Sequence, residues 1–544
     1  MKAKSISYLL MIIVAILFTR ITAQKSDSSI PRLVKHGEGF HLIVNDKPFL
    51  ILGGELGNSN ASTSEYFDSV WSKVVKMNLN TVLVPVYWEL IEPVEGKYDF
   101  SLIDYAITSA RKNNMKIVFL WFGSWKNSMS CYVPGWIKVN QEKYPRSKSK
   151  MGISQEILTP FSEKNLQADV RIYRALMKHI KGIDQKEQTV IMMQVENEIG
   201  MLPDARDYCD EANKEFESSV PKELVLYLKQ NSESLTDDLK EKIKNKNLDS
   251  PLTWEELFGK SLDTDEIFMA WHFACYTNAV AKAGKEEYPI PTYVNAALIR
   301  PGYKPGQYPS AGPLPHLRNI WNAGAPQIDM LAMDIYFKNY TEWLAKFDWN
   351  GNPVFIPEAD RMQGAANALY AIAQHNAFGY SPFSVENTEN PDNNQFHQAY
   401  DVLNQLKPII LEAIGKKRMA GILLDSTKQT TEIKIGNYIL TARHEHSWPY
   451  ANKQPGATPR FGGMVILMSP DDFYIAGSGI IVTAKPIVAD GAIAGIQSDE
   501  EGNFVEGKWK AIRVLNGDET HQGRHIHLAG DKFSIQKVSF YTYK

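Results

Sequence analysis

The sequence predicts an α/β protein: a (β/α)8 barrel followed by an antiparallel β-sandwich. Two observations carry this. From Leu50 onward, short apolar runs rich in β-branched residues alternate with amphipathic helical stretches, the pattern of parallel strands covered by helices. After about Arg418 the helical periodicity fades, and alternating strands punctuated by turn residues replace it. A chain of 544 residues, 44% hydrophobic and with only 3 Cys, has ample core for both parts and is neither disordered nor disulfide-stapled.

Taken in order, the first element is an address. Lys2 and Lys4 precede an apolar run from Tyr8 to Phe18, then Arg20 and a small-residue site near Ala23, which predicts a secretory signal peptide over residues 1–23. The run is shorter than the roughly 20 residues a spanning helix needs. With no Cys at the cleavage site, the expected product is a periplasmic or secreted protein, free of the membrane after cleavage. Ser26 to Pro31 reads as a short linker.

The barrel is expected over residues 31–418. Its strands are predicted at Phe49 to Gly53, Thr81 to Tyr87, Lys116 to Phe122, Thr189 to Val195, Thr292 to Ala296, Met330 to Tyr336, Pro353 to Ile356 and, weakly, Phe378 to Phe383. Helices are predicted at Ser64 to Met77 and Ser101 to Asn113. A helical insertion at about 204–260 carries the charge-mixed run Asp237 to Lys246, most simply a solvated face. The β-sandwich should occupy 419–544, with strands at Thr431 to Leu440, Gly463 to Met468, Asp472 to Thr483, Lys508 to Leu515 and Lys532 to Tyr543. Turns are predicted at Glu501-Gly502-Asn503 and Asn516-Gly517-Asp518.

Composition narrows the function. Lys and Arg total 59 against 62 Asp and Glu, a formal charge of -3, so no basic field exists to hold nucleic acid. The 12 Trp, 25 Tyr and 23 Phe suit stacking on sugar faces, although aromatics also fill large cores. Cys131, Cys209 and Cys275 are too few and too widely spaced for a metal site and read as buried thiols or at most one bridge. His444 with His446, and His525 with His527, have i, i+2 spacing that would share a strand face, but no third ligand is evident. No cofactor is expected, and the oligomeric state is not legible.

In a barrel of this kind catalytic groups sit where strands end. Two apolar runs end in carboxylates. Val190 to Val195 runs into Glu196-Asn197-Glu198, and Val354-Phe355-Ile356-Pro357 into Glu358, with Asp360 and Arg361 behind it. Burying such groups costs several kcal/mol unless they are paired. The fourth and seventh strands face each other across the mouth, and two carboxyls so placed are the machinery of glycoside hydrolysis. Tyr87, Trp88, Trp121, Trp125 and Tyr336, at other strand ends, would line the same mouth.

Gln194 to Gly200 resembles the acid/base motif of glycoside hydrolase family 35, the β-galactosidases, within a clan of retaining barrel enzymes. Trp88 to Phe100 resembles the clan's second-strand signature, and the likeness spans about residues 35–415, with a bacterial branch of that family carrying an extra C-terminal β-domain. The resemblance implies that Glu198, directly after an Asn, is the acid/base rather than Glu196. It further implies that Asn197 contacts the sugar 2-hydroxyl, that Glu358 is the nucleophile and that Tyr336 hydrogen-bonds it. Ideal strand alternation puts Glu196 and Glu198 on one face, so a bulge is expected near Asn197.

The implied mechanism needs Glu198 protonated and Glu358 ionised at the start, the latter helped by Tyr336 and Arg361. The two carboxyls should stand about 5 to 5.5 Å apart, the retaining spacing. The loop after the third strand reads Trp121-Phe122-Gly123-Ser124-Trp125-Lys126-Asn127, without the acidic residue better-known members carry there. Trp125 is therefore expected as a stacking platform and Asn127 as a hydroxyl reader, against ordinary packing and loop roles. Glu55, closing the first strand, could add a carboxylate, against a structural ion pair. The helix from Glu266 to Lys285 could bring Trp271, His272 and Tyr276 to one wall.

The resulting expectation is an exported, exo-acting, retaining β-galactosidase acting on terminal β-galactose of poly- or oligosaccharides, xyloglucan-like side chains among them. Another exo-β-glycosidase, an α-L-arabinosidase or a non-catalytic glycan-binding barrel are the alternatives. The C-terminal domain is expected to brace the barrel rather than bind polysaccharide.

Overall fold

A computed structural model describes residues 30–445, 460–488 and 491–544. The expected signal peptide, most of the linker and His446 lie outside these residues. Among the described residues no helix is long and apolar enough to cross a membrane.

Eight parallel strands close into a barrel. In chain order they are Ile51–Glu55, Thr81–Tyr87, Lys116–Lys126, Val190–Asn197, Thr292–Ala297, Met330–Ile335, Phe355–Ala359 and Gly379–Pro382, hereafter the first to eighth strands. All eight predicted strands are present, and the third runs four residues further than predicted. Their side chains are buried almost without exception, because helices cover the outside while the barrel interior is filled. The helices Ser64–Val74, Ser101–Lys112 and Glu163–Asp184 lay apolar stripes such as Phe67, Val70, Trp71 and Val74 against the strands. Between the fourth and fifth strands the chain forms helices Asp210–Phe216, Lys222–Gln230, Asp237–Ile243 and Trp254–Phe258 before the long helix Leu262–Glu287. Ahead of the barrel, Arg32–His36, Gly39–Val44 and Lys47–Phe49 form a small antiparallel sheet that the sequence analysis did not separate from it.

The C-terminal part is two antiparallel sheets of six and four strands, a sandwich as predicted. Alternation assigns its faces. Ile422, Val465, Ile475 and Val538 of the six-stranded sheet meet Ile433, Leu440, Val482 and Ile526 of the other. The intervening Leu423, Met464, Ile466, Tyr474 and Ala476 point the opposite way and join the barrel's core. This sheet packs on the helices Ala365–His375 and Gln395–Ala413; Gln374 and Gln398 accept from backbone N–H groups of Gly421 and Phe533.

Several predicted sandwich strands are divided or differently bounded. Thr431 to Leu440 is a hairpin, Thr430–Ile435 and Tyr438–His444, that turns at Gly436 with φ 58. Asp472 to Thr483 breaks at Gly479, φ 68. The turn expected at Glu501-Gly502-Asn503 is not one. The strand Ile493–Val505 continues through it with a register shift, and the chain reverses at Glu506 and Gly507, both left-handed. Met419–Leu424, Ile493–Val505 and Ile526–Leu528 were not foreseen as strands.

Candidate active site

The fourth strand ends in an irregularity that sorts its two glutamates. Glu196 (φ 59) and Glu198 (φ 44) are both left-handed, which a non-glycine residue adopts only under constraint. Beside them Trp121 pairs with Val195 and Lys126 with Asn197, so four residues of the third strand stand opposite Glu196 alone. The bulge expected near Asn197 is therefore shared by both strands, and alternation no longer applies.

Glu196 turns into the wall. Its Oε2 accepts the backbone N–H of Trp125 at 2.9 Å, and it faces Asp169, which is held by Trp121 Nε1 at 3.0 Å and Ser124 Oγ at 2.8 Å. Burial raises both carboxyls, and the charge of Asp169 raises Glu196 further. Glu198 turns into the mouth, where Asn127 Nδ2 donates to its Oε2 and its backbone N–H donates to Asn295 Oδ1 at 3.1 Å.

Glu358, near the end of the seventh strand, meets it there. Acceptor oxygens of Glu198, Asp334 and Glu358 all lie within 4.8 Å of one another. Tyr336 Oη donates to Glu358 Oε1, and Asn295 Nδ2 donates to Asp334 Oδ2. Each carboxyl already accepts from a neutral donor, a setting suited to proton chemistry. Burial, then the charge of Glu198, pushes Glu358 up to about 7, opposed by Lys126 and by the hydrogen bond from Tyr336. Glu55 and Asp334 are raised well above the carboxylate range, burial first and Glu358 second.

Asn197 is fully buried; its Oδ1 accepts from Lys126 Nζ at 2.8 Å, while its Nδ2 has no partner among the described residues. Lys126 is itself only 3% exposed. The structure thus brings Glu55, Asn127, Asn197, Glu198, Tyr336 and Glu358 together. Lys126, Asp334 and Asn295 join them without having been singled out. A polar residue inside an otherwise apolar strand, as at Asn295 and Asp334, was the available cue.

Two predicted sugar contacts are corrected. Trp125 is fully buried, edge-on to Tyr276 at 4.7 Å and to Phe273 at 5.4 Å, so no face is free to stack on a ligand. Trp88 is also fully buried, and its Nε1 donates to Glu92 Oε2 at 2.9 Å. Tyr87 and Trp121 are buried too; of the five strand-end aromatics only Tyr336, 46% exposed, opens on the mouth.

Other expectations fail on placement. Arg361 does not support Glu358, because its guanidinium donates to the carbonyl of Asn387. Asn127 reaches the acid carboxyl itself. In the long helix, Tyr276 donates to Asp169 behind the wall, whereas His272 is packed among Phe161, Phe268 and Trp254, where burial lowers it to about 3. His525 and His527 belong to no grouping of three metal-type ligands among the described residues.

Comparison with known proteins bears on this geometry. Residues 58–300 match the profile of glycoside hydrolase family 42, described as β-galactosidase. The expected family 35 membership is thereby overturned: the matching profile is that of family 42. Residues 396–527 match a domain of unknown function, DUF5597. No curated protein matches.

Among solved structures the chain resembles Gan42B from G., a family 42 β-galactosidase, at 10% identity and TM-score 0.51, over 90% of this chain and 98% of that one. That likeness shows the fold. The β-galactosidases of Bacillus circulans sp. alkalophilus and Rahnella sp. R3 align at 15% and 16% identity, each with TM-score 0.46 over 67% of this chain. The chain spans 57% of the length of each.

Proposed function

We propose that the chain is an exported, exo-acting β-galactosidase that removes terminal β-galactose from poly- or oligosaccharides with retention of configuration. The observation that carries this reading is the pair Glu198 and Glu358, projected from the fourth and seventh strands with oxygens within 4.8 Å. That closeness favours the retaining arrangement over the inverting one, which leaves room for a water between carboxyls roughly 6.5 to 9.5 Å apart.

In this mechanism Glu198 enters protonated and gives its proton to the glycosidic oxygen as Glu358 attacks the anomeric carbon. A glycosyl ester on Glu358 forms and the leaving alcohol departs. Glu198, now a carboxylate, takes a proton from water as that water attacks the same carbon, releasing the sugar and restoring both groups. Asn127, donating to Glu198, fixes the acid's orientation. The unpartnered Nδ2 of Asn197 is a donor available to the sugar 2-hydroxyl. Galactose as the sugar rests on the family 42 match, and export rests on the residues 1–23 pattern. Xyloglucan-like side chains remain the polymer we favour.

A panel of nitrophenyl glycosides tests the reading. Release from the β-galactoside well above the β-glucoside and α-L-arabinoside is expected, with free galactose as the sole sugar from a galactosylated oligosaccharide. Release from none would favour a binding protein on the same barrel.

A further inference from the structure

Lys126 brings a cation into the catalytic mouth, where burying it costs free energy unless partners replace the water around it. It closes the third strand and is 3% exposed. Its backbone is pinned from two sides. It pairs with Asn197 of the fourth strand, and its N–H and C=O exchange hydrogen bonds with the backbone of Ser130 at 2.7 and 3.0 Å. The tight reversal between them runs through Asn127 (φ 55) and Ser128 (φ 58), both left-handed. From this fixed base Nζ donates to Asn197 Oδ1 at 2.8 Å and lies 4.9 Å from the centre of the Phe122 ring, a contact that favours the charged form.

The two ends of an asparagine amide are alike in shape, so what lies against them decides which way the group turns. An ammonium carries three donors and no acceptor. Held against it, Asn197 presents its carbonyl oxygen, and Nδ2, buried and without a partner among the described residues, points away from Lys126.

We infer that Lys126 is a positioning residue: it sets the amide of Asn197 so that Nδ2, and not Oδ1, meets the sugar 2-hydroxyl. This rests on the reading of Asn197 as the 2-hydroxyl contact given above. Donation then runs one way, from Lys126 to Asn197 and from Asn197 to the hydroxyl oxygen, which leaves the hydroxyl hydrogen for a carboxyl oxygen of the mouth. An amide turned the other way would set its N–H groups against an ammonium, donor against donor.

The test compares a nitrophenyl β-galactoside with its 2-deoxy analogue, because the charge of Lys126 also favours ionised Glu358 and that effect reaches both substrates alike. The wild type prefers the parent sugar. In Lys126→Met that preference in kcat/KM falls by about threefold or more, as expected when the charged donor behind a hydrogen bond is lost. In Asn197→Ala it falls further, and adding Lys126→Met there changes it by less than about twofold, because no amide remains to be set. Equal losses on both substrates in Lys126→Met, or a full further loss of preference in the double variant, would overturn the proposal.

A neutron crystal structure of the deuterium-exchanged wild type reads the amide without turnover and without any substitution. Deuterons on the Asn197 atom turned away from Lys126 support the proposal, and deuterons on the atom turned toward it refute it. If the wild type cleaves no nitrophenyl glycoside, the functional reading fails, while the neutron map still decides which way Lys126 sets Asn197.

Discussion

Replacing Tyr336 with Phe removes one oxygen atom from the mouth and little else. The ring is 46% exposed, so its packing contributes modestly, whereas its hydroxyl donates directly to Glu358 Oε1. A hydrogen bond to a charged group contributes about 1.5 to 3 kcal/mol, so Tyr336→Phe should lower kcat/KM by roughly 10- to 150-fold. A second effect has a fixed sign. The phenol favours the ionised form of Glu358, which burial has already pushed up to about 7. Without it the carboxylate holds its proton to higher pH, and the acid limb of kcat/KM must move upward. The assay is a pH series of initial rates on a nitrophenyl β-galactoside, with thermal unfolding run alongside. Unchanged kcat/KM with an unmoved acid limb, or a limb moving downward, would refute the reasoning.

Glu358→Ala should lose roughly four to six orders of magnitude in turnover and regain part of it with azide; no rescue would remove Glu358 from the nucleophile role. Trp125→Phe should lower thermal stability, since the indole is fully buried against Phe273 and Tyr276. It should leave KM within about threefold, whereas a large KM rise at unchanged stability would restore a sugar-stacking role. Asp499, buried in the C-terminal domain, has neither carboxylate oxygen partnered among the described residues and is raised to about 7, chiefly by burial. Because the folded state holds that proton more tightly than the unfolded chain, its contribution falls as pH rises from about 4 through 7. Asp499→Asn should therefore gain stability over the wild type by up to about 4 kcal/mol at pH 8 and close to nothing at pH 4, read by urea unfolding. An equal gain at both pH values would contradict the assignment.

The barrel was legible because burial on both faces writes each strand as an apolar β-branched run, and a run that ends in a carboxylate stands out, as at Glu198 and Glu358. What lay beyond reach depended on where side chains point after the chain leaves regular geometry. The left-handed conformations at Glu196 and Glu198, with the excess of third-strand residues beside them, send one glutamate into the wall and the other into the mouth. The same irregularity carries Lys126 inward and turns Trp125 onto the long helix, so a residue that reads as a sugar platform is core. Trp88 was misread because its indole is tied to Glu92, four residues ahead in the chain. Asp334 and Asn295 were passed over because a lone polar residue inside an apolar run has no distinguishing sequence neighbour. In the sandwich, Glu501-Gly502-Asn503 has turn composition but is a bulge, and the reversal falls at Glu506-Gly507 instead.

The central claim is that Glu358 forms a covalent bond to the sugar. Incubating the protein with a 2-deoxy-2-fluoro-β-galactosyl fluoride, digesting it and mapping the labelled peptide tests that directly. The account predicts one fluorogalactosyl group per chain, attached to Glu358 and released with return of activity when a sugar acceptor is added. A label on Glu55, Glu198 or Asp334, or full turnover of galactosides with no trapped ester, would contradict it.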